Sequence, residues 1–243
     1  MDMKRLVSNH WIGEFFAYLY MQVTCKLGSG VVKKVTLGNI SRDFYARNEN
    51  MKHRIDKLRR KEASILSDFV TEIAEEDLFY DIGADFGLYT LFASSKIPEN
   101  QIFAFEPYRP RVGRMRANLR LNGQNPTIIR KAIGNDKLKR GYKTTFKRPS
   151  PHISRINDIK NLPHPSIVKI DVDGGEYNVI EEIEPLLRKY VRVAYIEVHP
   201  HLLGSYDVTD DDVITRLKEM GFYIEKCNDS TGDQRPYFVK GSK

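Results

Sequence analysis

The sequence predicts an α/β protein: a doubly wound, mostly parallel sheet, a C-terminal antiparallel hairpin and an N-terminal helical extension. Three observations predict it. From Leu78 onward, short apolar runs alternate with segments of helical length and periodicity. The first of these runs ends in an acid and a two-glycine turn, Asp81-Ile82-Gly83-Ala84-Asp85-Phe86-Gly87, that opens a helical segment. The rhythm then breaks at the tail, where two short strand-like runs flank a polar turn.

Taken in order, residues 1–30 read as an aromatic helix, with Trp11, Phe15, Tyr18 and Leu19 on one face and Gly28-Ser29-Gly30 ending it. Such a helix can cap the domain, rest on a lipid surface or pair two subunits into a homo-oligomer. Its polar face is not rich in Lys and Arg, which favours capping. Val31–Thr36 reads as a short strand. Residues 51–70 read as a helix, basic in its first half and apolar at Ile65, Leu66, Phe69 and Val70. Residues 1–60 are therefore expected to form an extension and residues 61–243 the main domain.

Within the main domain, strands are expected at Leu78–Gly83, Gln101–Glu106, Thr127–Ile133, Ser166–Val172 and Arg192–Val198. Helices are expected at Leu88–Ser95, Arg109–Leu121, Glu176–Lys189 and Asp210–Met220. Phe222–Lys226 and Pro236–Lys240 form the closing hairpin, so one last strand should run antiparallel. Residues 135–165 replace a crossover helix by a long basic connection containing Pro149, Pro151, Pro163 and Pro165, and connections of that length are usually functional.

Composition narrows the class. The chain has 243 residues, 41% of them apolar, enough for a substantial core. Cys25 and Cys227 lack metal or disulfide spacing and suit a reducing compartment. The apolar run Phe15–Met21 is short, is interrupted by Glu14, and precedes no small-residue cleavage site. Neither a membrane span nor a signal peptide is expected, and the expected location is cytoplasmic. The net charge of +7 is unevenly placed: residues 108–148 hold thirteen Lys/Arg and one acid, Asp136, so the remainder is net acidic. An acidic partner, such as a phosphate, uronate, sulfate or nucleic acid, would suit that segment.

Ligands of open parallel sheets bind outside the carboxyl ends of the strands, so the strand ends carry the functional reading. Gly83 and Gly87 allow positive φ and close approach of a ligand to the backbone. Asp81 can accept a hydrogen bond from a ligand ammonium or hydroxyl. Asp85 occupies the helix mouth, where a pyrophosphate would meet negative charge; a cationic, zwitterionic ligand such as S-adenosylmethionine tolerates it better. Glu106, before Pro107, is placed to accept from both ribose hydroxyls. Lys131-Ala132-Ile133-Gly134 could line an adenine pocket through backbone groups. Lys169, Asp171, Asp173 and Glu176 crowd the end of a buried strand. Burying such carboxylates is costly unless they are paired or used, and clustering raises their pKa values. Asp173 and Glu176 also have the offset of a helix capping box. Glu197 and His199 end the next strand on the same rim.

These motifs, D-I-G-A-D-F-G-L-Y-T, A-F-E-P, N-L-R-L-N, K-A-I-G, K-I-D-V-D-G-G-E and I-E-V-H, resemble the FkbM-type S-adenosylmethionine-dependent methyltransferases across roughly residues 62–200. The resemblance implies a class I, Rossmann-like methyltransferase fold and methylation of a hydroxyl on a sugar or natural product. Asp85 stands where that family usually has Asn, Asp173 where Glu is usual, and Gly175 where Ala is. Cofactor contacts are expected from Asp81, Gly83, Ala84, Asp85, Gly87, Tyr89, Thr90, Glu106, Pro107, Ala132 and Asp171. Substrate contacts are expected from Lys169, Glu176 and Glu197, and proton transfer from Asp173, Asp171 or His199, in that order.

Elimination favours oxygen as the acceptor atom. The N/D-P-P-Y/F run common in amine methylation is replaced by D-V-D-G, and no cysteine lies on the rim for carbon methylation. No metal site is assigned; a magnesium ion held by Asp171 and Glu197 ranks below metal-free transfer. The reading is an O-methyltransferase acting on a hydroxylated small molecule or glycan, including acidic ones. The alternatives are an RNA methyltransferase using the basic 108–148 segment and a non-catalytic cofactor-binding module.

Overall fold

The computed structural model describes residues 30–138, 152–227 and 236–243. The expected N-terminal aromatic helix, Cys25, most of the basic connection and the turn of the closing hairpin lie outside the described residues.

The described chain opens with an antiparallel pair, β1 (Val31–Leu37) and β2 (Ile40–Ala46). Only β1 was expected. The helix expected over 51–70 is two helices, α1 (Glu49–Lys61) and α2 (Ala63–Glu72), because Glu62 leaves helical geometry at ψ 2°. β3 (Phe79–Ile82) and α3 (Leu88–Ala93) follow, then β4 (Ile102–Phe105) and α4 (Arg109–Leu121).

The strand expected at Thr127–Ile133 is divided. β5 (Thr127–Ile129) stays in the main sheet, whereas β6 (Ala132–Ile133) pairs in parallel with β7 (Ile153–Ser154) in a separate small sheet. After β8 (Ile167–Ile170), the expected helix at 176–189 breaks at Ile183 into α5 (Glu176–Glu182) and α6 (Glu184–Lys189), with Pro185 in the first turn of the second. β9 (Val193–Val198), the short α7 (Pro200–Leu203), α8 (Asp210–Glu219), β10 (Tyr223–Lys226) and β11 (Tyr237–Ser242) complete the chain.

The main sheet has seven strands in the order β10-β11-β9-β8-β3-β4-β5. β11 runs antiparallel to β9, as the break in rhythm predicts, and β3, β4, β5, β8 and β9 are mutually parallel. β3 and β4 pair directly, as do β3 and β8, so the crossover reverses at β3 and the crevice opens above its carboxyl end.

Side-chain alternation divides the interior into two cores. Phe79, Ile102, Ala104, Ile167, Val193 and Tyr195 face α2 and α3. Tyr80, Ile82, Phe105, Val168, Ile170 and Ile196 face α5, α6 and α8. In the first core Phe69 of α2 is the hub, with ring centroids 4.9 Å from Phe79, 5.1 Å from Tyr89 and 5.5 Å from Tyr195. Such pairs contribute roughly 0.5–1.5 kcal/mol each beyond area burial. The same alternation puts Asp81 and Lys169, partners in register on β3 and β8, on this first face.

The β1–β2 pair shares that core through Val35, Phe44 and Ala46. Asn118 of α4 and Asn122, the residue that follows α4, fasten it. Asn118 accepts from the Tyr45 amide and donates to the Phe86 carbonyl, both at 2.9 Å. Asn122 accepts from the Asp43 amide at 2.9 Å and donates to its carbonyl at 2.7 Å. Residues 31–46 thus join the glycine turn to the edge of the domain.

Candidate active site

The turn after β3 is shaped by close packing. Gly83 has φ +85°, and a Cβ there would lie 1.8 Å from the Asp171 carbonyl oxygen, so glycine is required where β3 and β8 end side by side. The Gly83 and Ala84 amides donate to the Phe105 carbonyl at 2.9 and 3.0 Å, which draws the turn over the end of β4. Gly87, at φ +86°, packs against Met115 of α4. Asp81 is fully buried. Its Oδ2 accepts from the Thr90 amide (3.1 Å) and hydroxyl (2.6 Å), while Oδ1 has no hydrogen-bond partner among the described residues. Burial pushes the Asp81 pKa up, against the opposing pull of Lys169.

Two cavities meet above this turn, and both are walled by Gly83, Arg111, Asp171 and Asp173. The first, about 600 Å³, is largely apolar; Phe105, Pro107, Tyr108, Ala132, Ile133 and Leu138 line it beside Glu106. Glu106 is 1% exposed. It accepts from the Tyr108 amide at 2.8 Å and the Asp85 amide at 3.1 Å, leaving each oxygen one further lone pair. Burial lifts its pKa to about 7, outweighing the nearby Arg111 guanidinium.

The second cavity, about 760 Å³, is polar and is lined by Arg54, Glu62, Asp85, Tyr89, Lys169, Glu197 and His199. Lys169 is buried at its base. It donates to Asp171 Oδ2 at 3.0 Å and lies 5.1 Å from the Tyr89 ring centroid. Burial disfavours its ammonium, but Asp171, Asp81 and Glu62 more than compensate and hold its pKa above the ordinary value. Burial alone would raise the pKa of Asp171, but Lys169 and His199 depress it. Burial, and then the neighbouring Asp171 charge, push the Glu197 carboxyl well above the ordinary carboxylate range. Glu62 is raised by burial to about 7.

His199 Nδ1 lies 2.8 Å from Glu176 Oε1. Its Nε2 faces Asp171 Oδ1 at 4.0 Å and Asp173 Oδ1 at 3.9 Å. Burial opposes the imidazolium, yet Glu176 and then Asp171 lift the His199 pKa to about 9.

A family model of the methyltransferase FkbM domain matches residues 81–224. The chain belongs to the FkbM methyltransferase family. It is therefore an S-adenosylmethionine-dependent methyltransferase, and its sheet order is that of a class I, Rossmann-like fold. An FkbM methyltransferase from Methylobacillus flagellatus KT is 14% identical with a TM-score of 0.53; the match covers 98% of this chain and 56% of that one. Magnesium protoporphyrin IX methyltransferase from Synechocystis PCC 6803, solved with bound S-adenosylmethionine, is 14% identical with a TM-score of 0.54, covering 81% and 84% of the two chains. An rRNA methylase from Streptococcus thermophilus is 13% identical with a TM-score of 0.50, covering 76% and 96%. At these identities the likeness is one of fold. No curated protein sequence matches the chain. Among the described residues no helix is long and apolar enough to cross a membrane.

The FkbM domain's residues fit its cofactor on three observations: the apolar cavity is bordered by a buried acid, its floor is a glycine turn, and Asp81 Oδ1 lies unsatisfied beneath that turn. Of the residues expected from sequence, Gly83, Ala84, Asp85, Tyr89, Glu106, Pro107, Ala132, Lys169, Asp171, Asp173, Glu197 and His199 line one cavity or the other. Asp81, Gly87 and Thr90 stand behind the turn and shape it.

Glu176 corrects the expectation of a substrate contact. It is fully buried, and Oε1 takes both the Gly174 amide (2.8 Å) and His199 Nδ1, so it orients the imidazole. The capping-box alternative also fails, because Gly175 is the residue preceding α5 and no side chain caps the helix. Sequence reasoning missed Arg54, Glu62, Tyr108, Arg111 and Leu138. Only Arg111 carried a signal, standing in the basic run directly after A-F-E-P.

Proposed function

We propose that this FkbM domain is an O-methyltransferase acting on a hydroxyl of a glycan or other small-molecule acceptor. The observation that supports the reading is the pair Asp173 and His199 on the wall where the apolar and polar cavities meet, with no cysteine among the residues lining either. When bound, S-adenosylmethionine supplies an electrophilic methyl group on a sulfonium, transferred by in-line displacement.

Phe105, Ile133 and Leu138 suit the adenine, and the free lone pairs of Glu106 suit the ribose hydroxyls. The rim of the polar cavity is left for the acceptor, where Arg54 and Arg111 favour one carrying an acidic group. Alignment of the hydroxyl with the methyl group should supply much of the rate. Asp173 is the half-exposed carboxylate of the cluster and takes the hydroxyl proton as the O–C bond forms. Asp171, committed to Lys169, is the poorer base.

The test is methyl transfer from labelled S-adenosylmethionine to a panel of hydroxylated glycans, uronates and phenols. Asp173→Asn should lower transfer roughly 10²–10⁴-fold while leaving S-adenosylhomocysteine affinity within about threefold. Label recovered on nitrogen, or an undiminished rate in Asp173→Asn, would refute the proposal.

A further inference from the structure

We propose that Asp171, Asp173 and His199 form a binding site for one divalent transition-metal ion at the junction of the two cavities. Asp171 Oδ1, Asp173 Oδ1 and His199 Nε2 can each offer one ligand atom, and such atoms of the three residues lie within 4.8 Å of one another. They come from the loop after β8 and from the residue that follows β9.

The imidazole carries the argument furthest. The His199 side chain is only 9% exposed, and its Nδ1 is fixed by Glu176, which is fully enclosed and itself tied to the Gly174 amide. Nε2 is thereby aimed into the cavity. The carboxylate oxygens it faces there, at 3.9 and 4.0 Å, are beyond hydrogen-bond reach, and the side chain's hydrogen bond among the described residues is made by Nδ1. A buried carboxylate holding the far nitrogen of an imidazole is the arrangement that orients metal-ligating histidines and strengthens them as donors.

The two aspartates can answer it. Lys169 occupies Oδ2 of Asp171 and leaves Oδ1 facing the histidine. Asp173 stands at φ +52° in the loop with a half-exposed side chain, so its carboxylate can move without disturbing the core. Ligand atoms around a divalent ion at about 2.1 Å stand roughly 3.0–3.5 Å apart, so the 3.9 and 4.0 Å separations from Nε2 must close by about 0.5–1 Å, and the two carboxylates, within 4.8 Å of each other, by up to about 1–2 Å. That displacement is within the reach of Asp173.

One nitrogen and two carboxylate oxygens suit Mn²⁺, Co²⁺ or Zn²⁺ better than the harder Mg²⁺ or Ca²⁺. Glu197, the magnesium ligand weighed from sequence, is not in the set. The remaining coordination positions would open onto the cavity shared by cofactor and acceptor, where a cation can polarise an acceptor oxygen. Binding itself does not depend on which atom receives the methyl group.

Manganese provides the test, because electron paramagnetic resonance counts free Mn²⁺ directly. The full chain, without cofactor, is titrated with MnCl₂. One ion per chain is expected, with affinity at least 50-fold weaker in both Asp173→Asn and His199→Gln. Glu176→Gln, which removes only the orienting carboxylate charge, should weaken binding roughly 10–100-fold. Circular dichroism identifies any variant that fails to fold, and half-exposed Asp173 keeps the test decisive if His199→Gln does. Absence of Mn²⁺ binding up to 1 mM, or binding unaltered in Asp173→Asn, would overturn the proposal. Label arriving on oxygen without Mn²⁺ binding would sink the metal site alone; Mn²⁺ binding with label on nitrogen would sink the O-methylation reading alone.

Discussion

Replacing Glu106 with glutamine should lower cofactor affinity and remove a loss of stability that grows with pH. Burial lifts the Glu106 pKa from 4.5 to about 7 in the folded protein. At about 1.36 kcal/mol per pKa unit, the shift corresponds to about 3 kcal/mol. The folded state holds the proton more tightly than the unfolded chain. This contribution to stability is therefore fully present below about pH 4.5 and is lost as pH rises through about 7. Glutamine has no charge to desolvate. Its NH2 group cannot accept, however, so one of the Tyr108 and Asp85 amides loses its partner at every pH, a constant offset. Relative to wild type, Glu106→Gln should gain roughly 2–3 kcal/mol of stability between pH 5 and pH 8. Urea unfolding without cofactor, followed by circular dichroism at one-unit intervals from pH 5 to 8, measures the difference; groups away from Glu106 cancel in it. Calorimetry at pH 8 should show S-adenosylhomocysteine bound at least about tenfold more weakly, because one ribose acceptor becomes a donor. A stability difference that stays flat from pH 5 to 8 would refute the burial argument.

Two further substitutions test the scaffold. Gly83→Ala would put a methyl group 1.8 Å from the Asp171 carbonyl oxygen at φ +85°. It should therefore yield protein with a markedly lowered Tm that no longer binds S-adenosylhomocysteine; soluble protein with wild-type Tm and affinity would contradict the close packing of β3 against β8. Asn118→Ala removes the side-chain partner of the Tyr45 amide and the Phe86 carbonyl. It should destabilise the chain by roughly 2–4 kcal/mol in urea unfolding, and a loss below about 1 kcal/mol would show that the β1–β2 pair does not depend on that joint.

The positions of the parallel strands and their carboxyl ends were legible because a buried parallel strand has a local signature: an apolar run of four or five residues that ends where polar residues begin. Asp81, Glu106, Asp171 and Glu197 were all found in this way. Element breaks were less visible. Glu62 interrupts a stretch whose apolar spacing continues on either side, and the split at Arg130-Lys131 follows from β6 pairing with β7, a partner some twenty residues distant. The capping-box offset at Asp173 and Glu176 misled for a related reason. Spacing alone cannot tell a carboxylate that caps a helix from one that turns inward to a histidine on another strand.

Asp85 shows what pairing across the fold adds. Read locally, an aspartate in the glycine turn is an unfavourable charge at a ligand site, and it stands where the family usually has a neutral asparagine. In the folded chain three guanidinium groups converge on it: Arg54 of α1 donates to Oδ2, while Arg111 and Arg114 of α4 lie 3.5 Å from Oδ1. Arg111 also spans to Glu106 at 3.8 Å and Asp173 at 3.9 Å, and stands 5.2 Å over the Tyr108 ring. The Asp85 charge is thus offset within the protein and directs little field at a ligand. Its partners come from residues 31 positions before it and 26 and 29 after it, beyond any local window. The same contacts make Asp85 an organiser, because it holds Arg54 and Arg111 in the lining of the polar cavity. A neutral residue at position 85 would leave the three arginines repelling one another, so the charge that reads as unfavourable in a local window is what keeps these guanidiniums in place.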